Sequence, residues 1–123
     1  GAGLMGLFGF GKKKPQASEG FSFTIEDVFA MRAGGCVVVG QVAGGEVRKG
    51  ASVTCIPALG EPFSCVVQEI EQPHPEKRGE FVHPDRASAS GPWEAHYSLL
   101  IPGRNKTDFH PGDLLSAIEG ALD

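Results

Sequence analysis

The chain has 123 residues, 41% of them apolar, and a formal charge of −4. That suffices for one domain with a packed core and no disulfide or metal framework. Residues 1–14 carry three lysines and no acid, which leaves the remainder at −7 and excludes the basic footprint of a general nucleic-acid binder, though not a local basic patch.

Eighteen glycines and nine prolines suit many short strands joined by tight turns. The three cysteines, Cys36, Cys55 and Cys65, cannot all pair, and each sits in an apolar run. They read as buried thiols in a reducing, cytoplasmic setting. A membrane-spanning helix needs about 20 apolar residues in succession, and the chain has no such run.

In chain order, Gly1-Ala2-Gly3 reads as a cloning remnant and Met5 as the natural start. Residues 1–20 are expected to be a flexible leader and linker, because glycines interrupt every apolar pair and a Pro/Ser stretch follows. The competing reading is a weak membrane contact, with Leu7, Phe8 and Phe10 inserted and Lys12 to Lys14 on anionic lipid. The apolar stretch precedes its lysines, the wrong order for a secretion signal.

From Phe21 to Arg32 the residues alternate: Phe21, Phe23, Ile25, Phe29 and Met31 share one phase, which predicts a strand with one face buried. Asp27 falls in the apolar phase. A carboxylate there must be hydrogen-bonded or sit at a bulge, so it is expected to be structural. Glu26 and Asp27, as neighbours on a strand, are expected to face opposite sides and so cannot form a paired-carboxylate site.

Gly34-Gly35 turns the chain into a second strand, Cys36 to Ala43. Its run Cys36-Val37-Val38-Val39 is apolar on both faces, as in a strand covered twice. Gly40 inside it marks a bend or a close backbone approach. Glu46 to Gly50 is expected to turn, Ala51 to Ile56 to make strand three, and Phe63 to Glu71 strand four, with Phe63, Cys65, Val66, Val67 and Ile70 in the core.

The pattern then stops. Gln72 to Trp93 holds four prolines and no periodicity, which predicts a long loop of the functional or disordered kind. It carries Lys77, Arg78, Phe81 and Trp93, with His96 just beyond. Strand five is expected over Ala95 to Ile101, one helical turn near Asn105 to Phe109, strand six from Leu114 to Ile118, and a short tail at 119–123.

No constellation for catalysis is present. There is no phosphate-cradling GxxxxGK[ST] and no GxSxG elbow. Cysteine spacings of 19 and 10 residues fit no zinc motif. His74, His83, His96 and His110 lack ligand spacing, so a metal site would require the long loop to fold back over the barrel end. No cofactor is expected.

Five pieces of sequence, in order, carry a resemblance. They are Ile25-Glu26-Asp27-Val28-Phe29 with Val37-Val38-Val39-Gly40-Gln41-Val42, then Gly45-Glu46-Val47-Arg48-Lys49-Gly50, Ser64 to Ile70, Tyr97 to Gly103, and His110 to Leu115. Together they resemble the second domain of elongation factor Tu and related translational GTPases over residues 21–118. The resemblance implies a six-stranded closed Greek-key barrel, with Asp27, Gly40 and Gly50 as structural positions. It implies descent from a module that packs on a GTPase domain and helps hold the aminoacyl end of transfer RNA.

Nothing before Phe21 forms a GTPase domain, so GTP binding does not carry over. The family's polar residues before strand five correspond to Glu94-Ala95-His96, and its basic residue after that strand to Pro102. Both departures remove groups that would touch RNA. The expectation is a stand-alone, non-catalytic module that docks a protein partner through the long loop, with Trp93, Phe81, Lys77, Arg78 and His96 as its contact residues. The alternative is a translation accessory factor on RNA or the ribosome, using Arg32, Arg48, Lys49, Arg104 and Lys106. An enzyme using the loop histidines is the third reading.

Overall fold

The computed structural model describes residues 16–117. Among them, strands dominate: β1 (Ser22–Ala30), β2 (Cys36–Gly44), β3 (Glu46–Arg48), β4 (Ser52–Ile56), β5 (Phe63–Val66), β6 (Glu69–Pro73), β7 (Phe81–Val82), β8 (Arg86–Ser88), β9 (His96–Ile101) and β10 (Leu114–Ala117). A lone helical turn, α1 (Pro92–Ala95), precedes β9, and a 3-10 turn covers Lys106–Asp108.

Eight strands form one antiparallel sheet in the order β5-β4-β10-β1-β2-β9-β6-β7, while β3 and β8 pair separately. Period-two alternation puts Phe23, Ile25, Val38, Val53, Leu99 and Leu115 into a single buried cluster. The reading of the chain as all-β, and most strand positions, agree with this. No helix among the described residues is long and apolar enough to cross a membrane.

The opening strand departs from its expected phase. The β1–β2 register shifts between Ile25 and Asp27, opposite Gly40 and Val39. Glu26 is the extra residue, a β-bulge. One inserted residue moves every later side chain to the other face. Val28 is therefore buried, whereas Phe29 (52% exposed) and Met31 point outward, not into the core. Glu26 and Asp27 do not face opposite sides; both are exposed. Asp27 Oδ1 accepts a hydrogen bond from the Val28 amide at 2.9 Å, so the carboxylate caps the bulge.

Gly40 lies against this irregularity. A Cβ there would fall inside the contact distance of the Thr24 carbonyl oxygen and 2.9 Å from the Phe23 ring. Gly50 has a φ of 92°, in the region that favours glycine. Its amide donates to the Val67 carbonyl at 2.6 Å.

The expected fourth strand is two strands. β5 pairs with β4, and β6 pairs with β9. Only Val67 and Gln68 separate them. Val67 exchanges backbone bonds with Gly50 and Ala51, and the Gln68 amide donates to Leu100. This switch of partners turns Val66 outward, while Val67 and Ile70 are fully buried. The segment 46–50, expected to turn, begins as β3 and pairs with β8.

The leader expected over 1–20 is described only from Gln16. Ala17 bridges Val47, the Ser18 amide donates to the Glu46 carbonyl, and the Arg48 amide donates to the Gln16 carbonyl. Residues 16–20 are thus tied to β3, contrary to a flexible linker. The readings of residues 1–15 and of the tail from 118 onward lie outside the described residues.

Candidate functional site: a tryptophan on a left-handed turn

The segment 72–93 is built, not free. It begins in β6, folds back as β7 in register Gln72↔Val82 and Pro73↔Phe81, and crosses to β8 against β3. The hairpin tip is fixed locally. His74 Nδ1 accepts the Glu76 and Lys77 amides at 3.0 Å each, and the His74 amide donates to the Glu80 carbonyl.

Beyond β8 the chain enters α1. Its residues Trp93, Glu94 and Ala95 have φ of 58°, 54° and 59°. Three consecutive non-glycine residues in the left-handed region are costly, about 1–2 kcal/mol each, so something must hold them. Hydrogen bonds at every carbonyl from Pro92 to Glu94 do so. Gln72, itself buried, donates from Nε2 to the carbonyls of Pro92 and His96. Gln41 Nε2 donates to the Glu94 carbonyl at 2.9 Å. The His96 amide and His96 Nδ1 both donate to the Trp93 carbonyl.

Trp93 is displayed by this turn. The residue is 48% exposed, not a core residue or plug, and its Nε1 donates to the Pro73 carbonyl at 3.1 Å. Between the indole and the β6–β7 tip lies a solvent-open groove of about 320 Å³, lined by Pro73 to Glu80 and Trp93. Lys77, Arg78 and Trp93, expected as contact residues, are therefore brought together. Phe81 is 54% exposed beside the groove, opposite Pro73, without lining it.

His96 stands behind the turn. Its Nε2 is 3.2 Å from Glu26 Oε2 and its Nδ1 3.0 Å from the Trp93 carbonyl. Both partners are acceptors, and only the imidazolium can donate from both nitrogens. Its pKa is raised, first by the hydrogen bond to the Trp93 carbonyl; burial opposes this as the next effect, and Glu26 and Glu94 add to the rise. His96 thus couples the strained turn to the bulge of β1.

The other chemistry-bearing side chains lie elsewhere. Burial pushes the thiols of Cys55 and Cys65 up to about 12 and raises Cys36, so all three are protonated, and none forms a disulfide. No group of three or more His, Cys, Asp or Glu among the described residues could hold a metal ion. His83 pairs with Glu71 and His110 lies by Asp113, on separate parts of the surface.

Asp113 was not singled out from sequence. It is buried and accepts the amides of Ala58 and His110 at 3.0 and 2.9 Å. It latches the entry to β10 onto the β4–β5 connection. Its position in a His-Pro-Gly-Asp turn was the available signal. Gln41 and Gln72 also went unremarked, because an isolated glutamine in a strand or loop gives no pattern.

No family model matches the chain, and no curated protein matches it.

Proposed function

We propose that the protein is a non-catalytic binding module that docks a protein partner at the Trp93 groove. The observation that carries this is the exposed indole on a left-handed turn whose carbonyls are all engaged. Backbone strain tends to sit at functional positions, where the surroundings over-determine it. A half-exposed tryptophan beside an arginine is the composition of an interface anchor. Holding it in one pose beforehand removes part of the ordering cost of association.

The scaffold is inferred to be of the elongation factor Tu second-domain type. The supporting feature is chain continuity between β5 and β6. They flank the run β4-β10-β1-β2-β9, and two residues join them. Taken as one bent strand, they would close that run into six strands with Greek-key connections.

The RNA or ribosome reading has less support. Of its five basic residues, Arg48 pairs with Glu46, Lys49 with Glu69, and Arg104 lies 4.2 Å over the Phe63 ring while bonding the Ser64 carbonyl. Those side chains are engaged within the fold. Binding to RNA would decline steeply with salt.

The test is partner capture by the full chain, compared with Trp93→Ala and with the double variant Lys77→Glu/Arg78→Glu. The expected result is loss of the same captured proteins with both variants. Unchanged capture with both would refute the groove as the site.

A further inference from the structure

β2 is apolar on both faces, yet among the described residues only its inner face is covered. Its outer residues line up across the sheet. Phe29 lies opposite Val37, Val37 opposite Leu100, and Leu100 opposite Glu69. The neighbouring row runs Asp27, Val39, Ser98, Glu71. Phe29 and Asp27 are exposed and the others half-buried, in the outward phase of every strand. The face is an apolar band flanked by Asp27 on the β1 side and by Glu69 and Glu71 on the β6 side, with Lys49 at 4.0 Å from Glu69 and His83 at 3.0 Å from Glu71. Glu69 Oε1 is buried and has no hydrogen-bond partner among the described residues.

Residues 7–14, LFGFGKKK, have the complementary character: Leu7, Phe8 and Phe10, then three lysines and no acid. The direction of the chain at Gln16 also fits. Ala17 bridges Val47 antiparallel, and the Gln16 carbonyl accepts from Arg48. An antiparallel continuation from Gln16 would lead toward Lys49 and, past it, Glu69. The span from Glu69 to Phe29 is three strand spacings, about 14 Å. The seven residue-to-residue steps from Gly9 to Gln16 reach at most about 25 Å.

We infer that the chain's own segment 7–14 docks on the outer face of β1, β2, β9 and β6, with its lysines at Glu69 and Glu71 and its phenylalanines over Val37, Val39 and Leu100. The segment would supply the missing donor to Glu69 and cover the apolar band. None of its contact residues lines the Trp93 groove, so it does not depend on the function proposed above.

The experiment places a nitroxide on Gly9→Cys in the full chain. The native thiols are buried and their pKa values are raised, so labelling is selective for the new cysteine. The expected result is loss of the amide signals of Val37, Val39 and Leu100, while Thr54 and Ser64 on β4 and β5 keep theirs. The loss should weaken in about 1 M salt, where charges are screened beyond about 3 Å, and disappear with Lys12→Glu/Lys13→Glu/Lys14→Glu. A mixed sample, with labelled unenriched protein and unlabelled enriched protein, separates the alternatives. Signal loss there would assign the face to a second copy. Even broadening over all strands, or none, would leave the face without this occupant. Contact only with anionic vesicles would make the segment a lipid anchor. Each of these three results overturns the inference.

Discussion

Replacing Glu94 with glycine should stabilise the protein. Glu94 has a φ of 54° in the middle of α1, and its side chain is exposed. The left-handed conformation costs a residue with a Cβ about 1–2 kcal/mol, and glycine adopts it freely. Against this, glycine loses more backbone entropy on folding, about 0.5–1 kcal/mol. The bond from Gln41 goes to the Glu94 carbonyl and survives the change. The net gain is then about 0.5–1 kcal/mol, or a rise in Tm on the order of 4 °C for a domain of this size. Because Glu94 also acts on His96 through its charge, the proper reference is Glu94→Gln, which keeps the Cβ and removes the charge. Urea unfolding followed by far-UV circular dichroism measures the difference through the midpoint at constant slope. A glycine variant less stable than the glutamine variant by about 0.5 kcal/mol or more would mean that the turn is not left-handed in solution, and the strained-platform argument would fall.

Gly40→Ala should cost about 3 kcal/mol or more, since the new methyl meets the Thr24 backbone and the Phe23 ring; a loss under about 1 kcal/mol in the same unfolding assay would contradict the close approach. Val28→Ala should cost about 2 kcal/mol, from two buried methyl groups and the space they leave, and Phe29→Ala less than half of that; the reverse order would place the bulge wrongly. His96 should titrate above the ordinary histidine value of 6.5 when followed by its ring proton shifts. Because the folded pKa is raised, its contribution to stability is fully present below about 6.5 and is lost as pH rises through the folded value. His96→Gln should flatten that part of the stability–pH curve, and an unchanged curve would deny the coupling to Glu26 and the Trp93 carbonyl.

Much of the sheet was legible because alternation is local. β2, β4, β9 and β10 lie within a residue or two of their expected places. What alternation could not show is where its own phase breaks. Phe29 and Met31 continue the pattern of Phe21, Phe23 and Ile25 in sequence, but the residue inserted at Glu26 turns them outward. Asp27 was the one signal of this, and a bulge was among its two readings. The split of β5 from β6 was hidden for a similar reason. Val66 and Val67 are both apolar, so nothing local marks the change of partner between them.

The candidate site was half legible. Aromatics and bases in a Pro-rich stretch drew attention to Trp93, Phe81, Lys77 and Arg78, and the fold brings three of them to one groove. Its ordering was invisible, because the groups that impose it are distant in sequence. Gln41 and Glu26 lie on β2 and β1, and Gln72 lies on β6. Left-handed backbone is usually announced by glycine or asparagine, and Trp93-Glu94-Ala95 offers neither.

The bulge and the turn are one construction. Inserting Glu26 exposes its carboxylate beside β9 and sets it 3.2 Å from His96. His96 in turn holds the Trp93 carbonyl. Were Glu26 paired in regular alternation, with no bulge, Asp27 and Phe29 would turn inward and Val28 outward. The same insertion therefore orients the support for the tryptophan and leaves Phe29 on the outer apolar band. Deleting Glu26 should then remove the bulge without turning its neighbours over: Ile25 and Val28 stay inward, and Asp27 and Phe29 outward, in unbroken alternation. His96, having lost its Glu26 partner, should return toward the ordinary histidine value. Amide exchange along β1 and the ring shifts of His96 read these independently. A deletion variant that folds with His96 still raised, or with Val28 turned outward, would show that the bulge does not organise the site.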